Sequence, residues 1–415
     1  MSNSITISTA QRADHLAWLL DVTSIPTAAG REQRVIAWIE RWVARRPGMR
    51  LTRDGAGNMH ISMVDTGADA GTAGGEGRRP VYFTAHLDHP AFVIERVVSP
   101  GVVEVSFRGG VMEDYFAGTR VALFNSADTR IGGRIESKVE APMLTAAGAP
   151  RPSPFGHYLV ELDAGRDAGT LGVGDVGTWD LPRAEEIGGM VHTPACDDLA
   201  ALAAALAAYD VLGSEGSASR NDVRLLFTRA EEIGFVGAIA ACRERTMPVE
   251  ARVIALENSR SFADSPIGGG PIVRVGDRVS VFSPTLTDAV AKRAEAVAGG
   301  PSTVRAAQKL SELPAWKWQR KLMAGGACEA SVFCDAGYEA TCVCLPLGNY
   351  HNMADLDAVQ AGTNTRKATI EREFIARSDY EGMVDLLVAC GQSLGAGAGV
   401  RAMVEKLWRE RSFVL

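Results

Sequence analysis

Between Phe92 and Leu181 the texture of the chain changes, and this change constrains the fold more than any other feature. Short alternating segments such as Val102-Val103-Glu104-Val105-Ser106-Phe107 and Val121-Ala122-Leu123-Phe124 follow one another there. Turn residues stand between them at Pro100-Gly101, Gly109-Gly110, Gly132-Gly133 and Gly172. Period-two alternation broken by glycine and proline is the pattern of a small all-β unit. Outside this block, helical periodicity alternates with short apolar runs. An α/β domain interrupted by an inserted β-barrel-like domain accounts for both textures. We place the first part of the α/β domain at residues 1–91, the β-rich insert at 92–187 and the second part at 188–415. The chain shows no internal repeat.

Within the α/β parts, Val35, Ile36, Trp38, Ile39, Trp42 and Val43 form an amphipathic stripe that predicts a helix over Glu32 to Val43. Leu51 to Ile61 predicts a strand pair around Asp54-Gly55-Ala56-Gly57. Thr66 to Arg79 reads as a Gly- and Ala-rich loop. Val81 to Ala85 has the apolar composition of a buried parallel strand. Leu199, Leu202, Leu206 and Tyr209 mark one face of a helix. Further strands are expected at Arg224 to Thr228, Val253 to Leu256 and Ala340 to Leu345, and two helices near Tyr380 to Leu394 and Val400 to Arg411.

Composition excludes several classes of function. The 415 residues carry a formal charge of −7, with 46% hydrophobic and 22% charged residues, which is ordinary for a globular protein and excludes a disordered one. A mildly acidic chain without a basic stripe is a poor nucleic-acid binder. No apolar run approaches the ~20 residues that span a bilayer, and MSNSITISTAQRADH lacks the basic start and apolar core of a signal peptide. The seven cysteines include no CxxC pair, so all are expected to be reduced, mostly buried, in a cytoplasmic protein.

Five sites place His, Asp or Glu directly after an expected strand or ahead of a helix, where α/β sheets build their sites. His86-Leu87-Asp88 offers an imidazole for a metal and a carboxylate to orient the ring, although a polar turn is the plainer reading. Cys196-Asp197-Asp198 precedes a helix and reads equally as an N-cap. Glu231-Glu232 is either a solvated acidic turn or a pair that needs a cation or a shared proton. Glu257 says little alone, and His351 in Leu345-Pro346-Leu347-Gly348-Asn349-Tyr350-His351-Asn352 reads singly as a structural histidine. Together these residues suit a pair of divalent cations with nitrogen and oxygen ligands.

Taken in order, the segments AHLDHPAFVIERV, CDDLAAL, TRAEEIGFVGA, ALENS and PLGNYHN resemble the dinuclear zinc aminopeptidases of the glutamyl-aminopeptidase family, which includes the tetrahedral aminopeptidases. IPTAAGRE and GGACEAS are weaker matches, and the resemblance spans Ile25 to Met353. It implies a mixed sheet flanked by helices with a small β-barrel inserted for dimerisation or as a lid. It implies that His86 binds the first metal, that Asp88 orients it and that Asp197 bridges both metals. Glu231 would then be the general base, Glu232 a ligand of the second metal, Glu257 a ligand of the first and His351 a ligand of the second. The cofactors implied are two divalent ions, zinc, or cobalt or manganese in its place. The sequence departs from the family in three places. Leu199 stands where an Arg is common, Glu257 where Asp is frequent, and His89-Pro90 at a position that usually precedes a glycine. The missing Arg bears on assembly or substrate fit, so the large hollow assembly is not carried over.

The expected function is a metal-dependent aminopeptidase acting on peptides as a homo-oligomer, without nucleic-acid or membrane partners. A related carboxypeptidase or N-acyl amino acid deacylase would use the same ligands, and Glu329 is a candidate carboxylate for a substrate ammonium. A degenerate relative that uses the β unit for binding is the non-enzymatic alternative.

Overall fold

A computed structural model describes residues 7–64, 79–144, 150–164, 168–214, 222–300, 302, 316–395 and 400–415. The loop expected at Thr66 to Arg79 lies almost wholly outside the described residues.

The chain opens with helices α1 (Thr9–Val22) and α2 (Gln33–Ala44). The antiparallel pair β1 (Met49–Arg53) and β2 (Met59–Met63) and the strand β3 (Val81–His86) follow. Next come β4 (Ala91–Ser99), β5 (Val102–Arg108), β6 (Arg120–Phe124), β7 (Arg130–Val139), a hairpin of β8 (Pro142–Leu144) and β9 (Pro150–Pro152), β10 (Gly156–Leu162) and β11 (Val176–Trp179). Strands β12 (Glu185–Ile187) and β13 (Met190–Thr193) lead to helix α3 (Leu199–Gly213). After it come β14 (Val223–Thr228), α4 (Val236–Glu244), β15 (Arg252–Arg260), β16 (Ile272–Gly276) and α5 (Pro284–Ala298). The chain ends with β17 (Gln319–Leu322), α6 (Glu329–Asp335), β18 (Glu339–Leu347), α7 (Leu356–Gln360), β19 (Glu373–Ala376), α8 (Arg377–Gln392) and α9 (Arg401–Arg411).

The main sheet is mixed and eight-stranded, in the order β1-β2-β14-β3-β15-β18-β16-β17. Its centre, β14-β3-β15-β18, is parallel, so the carboxyl ends of four neighbouring strands open on one edge. Strand β3 is buried along its whole length, as its apolar composition requires. The insert closes into a six-stranded antiparallel barrel, β10-β5-β4-β11-β6-β7. Its core is an aromatic cluster in which Phe92, Phe107, Phe116 and Trp179 meet edge to face or tilted.

One element differs in kind from its expectation. Helix α3 is buried around nearly its full circumference rather than on one stripe. Its alanines let α1, α8 and β3 all approach closely, so each of its faces meets a neighbour.

Candidate active site

The edge formed by the carboxyl ends of β3, β14, β15 and β18 gathers all the residues singled out above. His86 ends β3, and Asp197 lies in the turn ahead of α3. Glu231 and Glu232 follow β14, Glu257 lies inside β15 rather than after it, and His351 lies in the turn after β18. Their side chains are buried. Asp197 sits between the two imidazoles. Its Oδ1 is 3.5 Å from Nε2 of His86, and its Oδ2 is 3.5 Å from Nε2 of His351. Nε2 of His86 also stands 3.7 Å from Glu231 Oε2 and 4.0 Å from Glu257 Oε1, while Nε2 of His351 is 3.5 Å from Glu232 Oε1.

Each ring is fixed through its other nitrogen. Nδ1 of His86 donates to the backbone oxygen of Asp88 at 3.1 Å, and Nδ1 of His351 donates to that of Gly110 at 2.6 Å. In the neutral ring this leaves the Nε2 lone pair pointing at the carboxylates. Gly110 belongs to the barrel's β5–β6 connection, so the insert itself orients a site residue. The Asp88 carboxylate is 3.7 Å from the His86 ring and accepts from the backbone N–H groups of Glu231 and Glu232, both at 3.0 Å. It therefore shapes the turn that presents both glutamates.

The electrostatics call for positive charge. Burial pushes Glu257 and Glu231 well above the ordinary carboxylate range, with neighbouring carboxylates adding to the effect, and it lifts Glu232 to about 7. Burial would lower His351, but Glu232 and Asp197 outweigh it and raise its pKa to about 9. Asp197 Oδ1, Asp198 Oδ1, Glu232 Oε1 and His351 Nε2 are buried without a hydrogen-bond partner among the described residues. Buried polar atoms are rarely left so. Two ligands of one tetrahedral zinc lie about 3.4 Å apart, close to the 3.5 Å separations observed. His86 with Asp197 and Glu232, and Asp197 with Asp198 and Glu257, each bring ligand atoms together as a metal site requires. The donor set fits divalent cations.

The sequence model of the M42 glutamyl aminopeptidases matches residues 67–298, more than half of the chain. The chain belongs to the M42 glutamyl aminopeptidase family. A search of curated proteins returns no match. Solved structures share the M42 chain's fold. An aminopeptidase from the archaeon Desulfurococcus kamchatkensis has a TM-score of 0.69 at 17% identity, over 94% of this chain and 98% of that one. A TET aminopeptidase from a marine-sediment Thaumarchaeota archaeon has a TM-score of 0.68 at 18% identity, over 93% and 98%. The TET1 peptidase of Pyrococcus horikoshii, described as assembling into a tetrahedron or a large octahedral shell, has a TM-score of 0.65 at 20% identity, over 92% and 100%.

The M42 chain's N-terminal segment IPTAAGRE has a visible purpose. Thr27 donates to the backbone oxygen of Leu87 at 2.9 Å, and the buried carboxylate of Glu32 accepts from the N–H of Ala230 at 3.0 Å. The segment thus braces both the His86 turn and the Glu231 turn. Asp198 occupies the N-cap position of α3 but makes no cap bond; its Oδ2 accepts from the N–H of His86 at 3.2 Å. Glu329 is buried and accepts from Thr228 Oγ1 at 2.6 Å, with burial raising its pKa to about 7.

Sequence reasoning passed over Arg274. It is 2% exposed on the wall of a cavity of about 380 Å³ that Glu257, Gly110, Met112 and Tyr350 also line. Nη1 donates to Ser259 at 3.0 Å; among the described residues Nε has no partner and no carboxylate forms a salt bridge with it. A single Arg in a strand carries no sequence signal, and only its burial marks it. A larger groove of about 860 Å³ opens between α2 and the barrel but is lined by none of the seven candidate residues.

Proposed function

We propose that this M42 protein is a metal-dependent aminopeptidase that releases N-terminal residues from peptides with the help of two divalent cations, zinc, or cobalt or manganese in its place. The observation that carries this reading is the Asp197 carboxylate held between two imidazole nitrogens with its Oδ1 unpartnered. His86, Asp197 and Glu257 would hold one cation, and Asp197, Glu232 and His351 the other. Bound cations supply Lewis-acid polarisation of the scissile carbonyl and a lowered pKa for the attacking water. Glu231 takes the proton of that water and returns it to the departing amine. Its raised affinity for protons, set by burial, suits both halves of that task. Asp88 keeps Glu231 and Glu232 in their places through the two backbone bonds.

Arg274, which forms no salt bridge among the described residues, provides for an anionic group in the cavity. Under the aminopeptidase reading this is the acidic side chain of the N-terminal residue. The same cation favours a second reading, a carboxypeptidase or N-acyl amino acid deacylase, in which it takes a free carboxylate. Glutamyl and leucyl amides with free amines, their acetylated counterparts, and N-acetyl amino acids form the deciding panel, each run with and without chelator. Hydrolysis of unblocked amides alone supports the aminopeptidase. Turnover of the acetylated compounds alone would overturn it.

The β-rich insert, placed at residues 92–187, is proposed as a unit for dimerisation or for closing the site, and the chain as a homo-oligomer. Solved relatives described as a dodecamer or as a tetrahedron support this. A monomer at micromolar concentration on gel filtration would count against it. Seven cysteines without a CxxC pair suit a cytoplasmic setting. No helix among the described residues is long and apolar enough to cross a membrane.

A further inference from the structure

Glu373 lies outside the family match and outside every motif singled out in the sequence. It is fully buried, at the start of β19. That strand pairs antiparallel with β13, placing Glu373 opposite Thr193, and Phe374 exchanges backbone bonds with Gly348 at 2.9 and 3.2 Å. One neighbour of β19 therefore runs into the Asp197 turn, and the other runs into the His351 turn. The Glu373 carboxylate joins the two turns. Oε2 accepts from the N–H groups of Cys196 at 2.6 Å and Asp197 at 3.1 Å, and Oε1 accepts from the N–H of His351 at 2.8 Å.

His89 and Asn352 reinforce this link. His89 Nδ1 donates to the backbone oxygen of Asp197 at 2.5 Å, and Nε2 faces Asn352 Oδ1 at 3.0 Å. Asn352 Nδ2 donates to the Pro194 oxygen at 3.1 Å. No Lys or Arg of the described residues forms a salt bridge with Glu373; His89 Nε2 stands 4.0 Å away. Burying a carboxylate on backbone donors alone is costly, and an apolar residue would fill the space at less cost. What the carboxylate alone supplies is acceptors for both turns at once.

We propose that Glu373 is a positioning residue that sets the separation of Asp197 from His351 and so preforms the cradle for the second cation. This rests on the two-cation reading above. Glu373→Gln keeps the volume but turns an amide N–H₂ toward one set of backbone donors. Glu373→Asp keeps the charge but is too short to reach both turns.

The test titrates cobalt(II) into metal-free wild type, E373Q and E373D, following visible absorbance, with melting temperatures of the metal-free proteins measured alongside. Wild type should bind two equivalents. E373Q should bind one of them about 10- to 100-fold more weakly, the range for loss of a group that orients a ligand, with an altered absorption band, and E373D should show a smaller loss. A merely structural role would lower the metal-free melting temperature and leave cobalt affinity and band unchanged, which would overturn the proposal. If E373Q fails to fold, a wild-type titration curve for E373D overturns it equally. Wild type that binds no cobalt would sink the two-cation reading and this inference together. Normal binding by wild type and variants alike sinks only this one.

Discussion

Oδ2 of Asp197 lies 3.5 Å from Nε2 of His351, and that nitrogen is buried without a hydrogen-bond partner. A cation held by Asp197 and His351 would satisfy both. Binding to the folded state alone stabilises it by about 2.7 kcal/mol per site at a concentration about 100 times Kd. Zinc should therefore raise the melting temperature of chelator-treated protein, and Asp197→Asn should remove most of that rise. The metal-free variant should itself melt somewhat lower than metal-free wild type, because His351 and His86 hold the Asp197 carboxylate below the usual carboxylate range and the substitution breaks those buried contacts. Calorimetry of both proteins, with and without zinc, reads these outcomes.

Glu231 is proposed to transfer protons rather than to hold a cation. Glu231→Gln should retain both metals while kcat falls by about 10²- to 10⁴-fold, the usual contribution of a general acid–base group. Metal content by atomic emission and kcat on an unblocked amide check this. Near-normal turnover would remove Glu231 from the mechanism.

Arg274 should govern the side chain accepted. Losing a charge-assisted hydrogen bond costs about 1.5–3 kcal/mol. Arg274→Met should therefore lower kcat/KM for a glutamyl amide by about 10- to 100-fold while leaving a leucyl amide little changed. Equal losses on both substrates would show that the residue serves the fold instead.

His15 makes stability depend on pH. It lies on α1, is 1% exposed, and has no hydrogen-bond partner for either ring nitrogen among the described residues. Burial, opposed in part by Asp210, lowers its pKa from 6.5 to about 4. Between those values the unfolded chain binds more protons than the folded one. Stability from this residue is thus complete above pH 6.5 and is lost as pH falls through 4, by at most about 3 kcal/mol. His15→Leu should flatten that decline. Melting temperatures of wild type and variant, both metal-free, from pH 7 to 4.5 would show it; parallel curves would refute the assignment.

Much of the site was legible because the chemistry of α/β sheets lies at strand ends. The apolar run Val81 to Ala85 is followed by His86, and Arg224 to Thr228 leads to Glu231 and Glu232. Period and position sufficed to mark these residues. Glu257 was found by the same logic, although its strand continues to Arg260. Glu373 and Arg274 gave no signal. Each is one charged residue in a short strand, and its part in the site depends on neighbours distant in the chain.

The sequence by itself determined many of the elements, the inserted barrel and the set of oxygen- and nitrogen-bearing side chains, because periodicity and residue type are local properties. Tertiary structure alone decided the rest. It put the Asp88 carboxylate on the backbone of the Glu231 turn, brought a barrel carbonyl to His351 and buried Arg274 on a cavity wall with no salt bridge among the described residues. Hydrogen bonding and burial depend on which segments pack together, and a linear pattern of residues does not contain those distances.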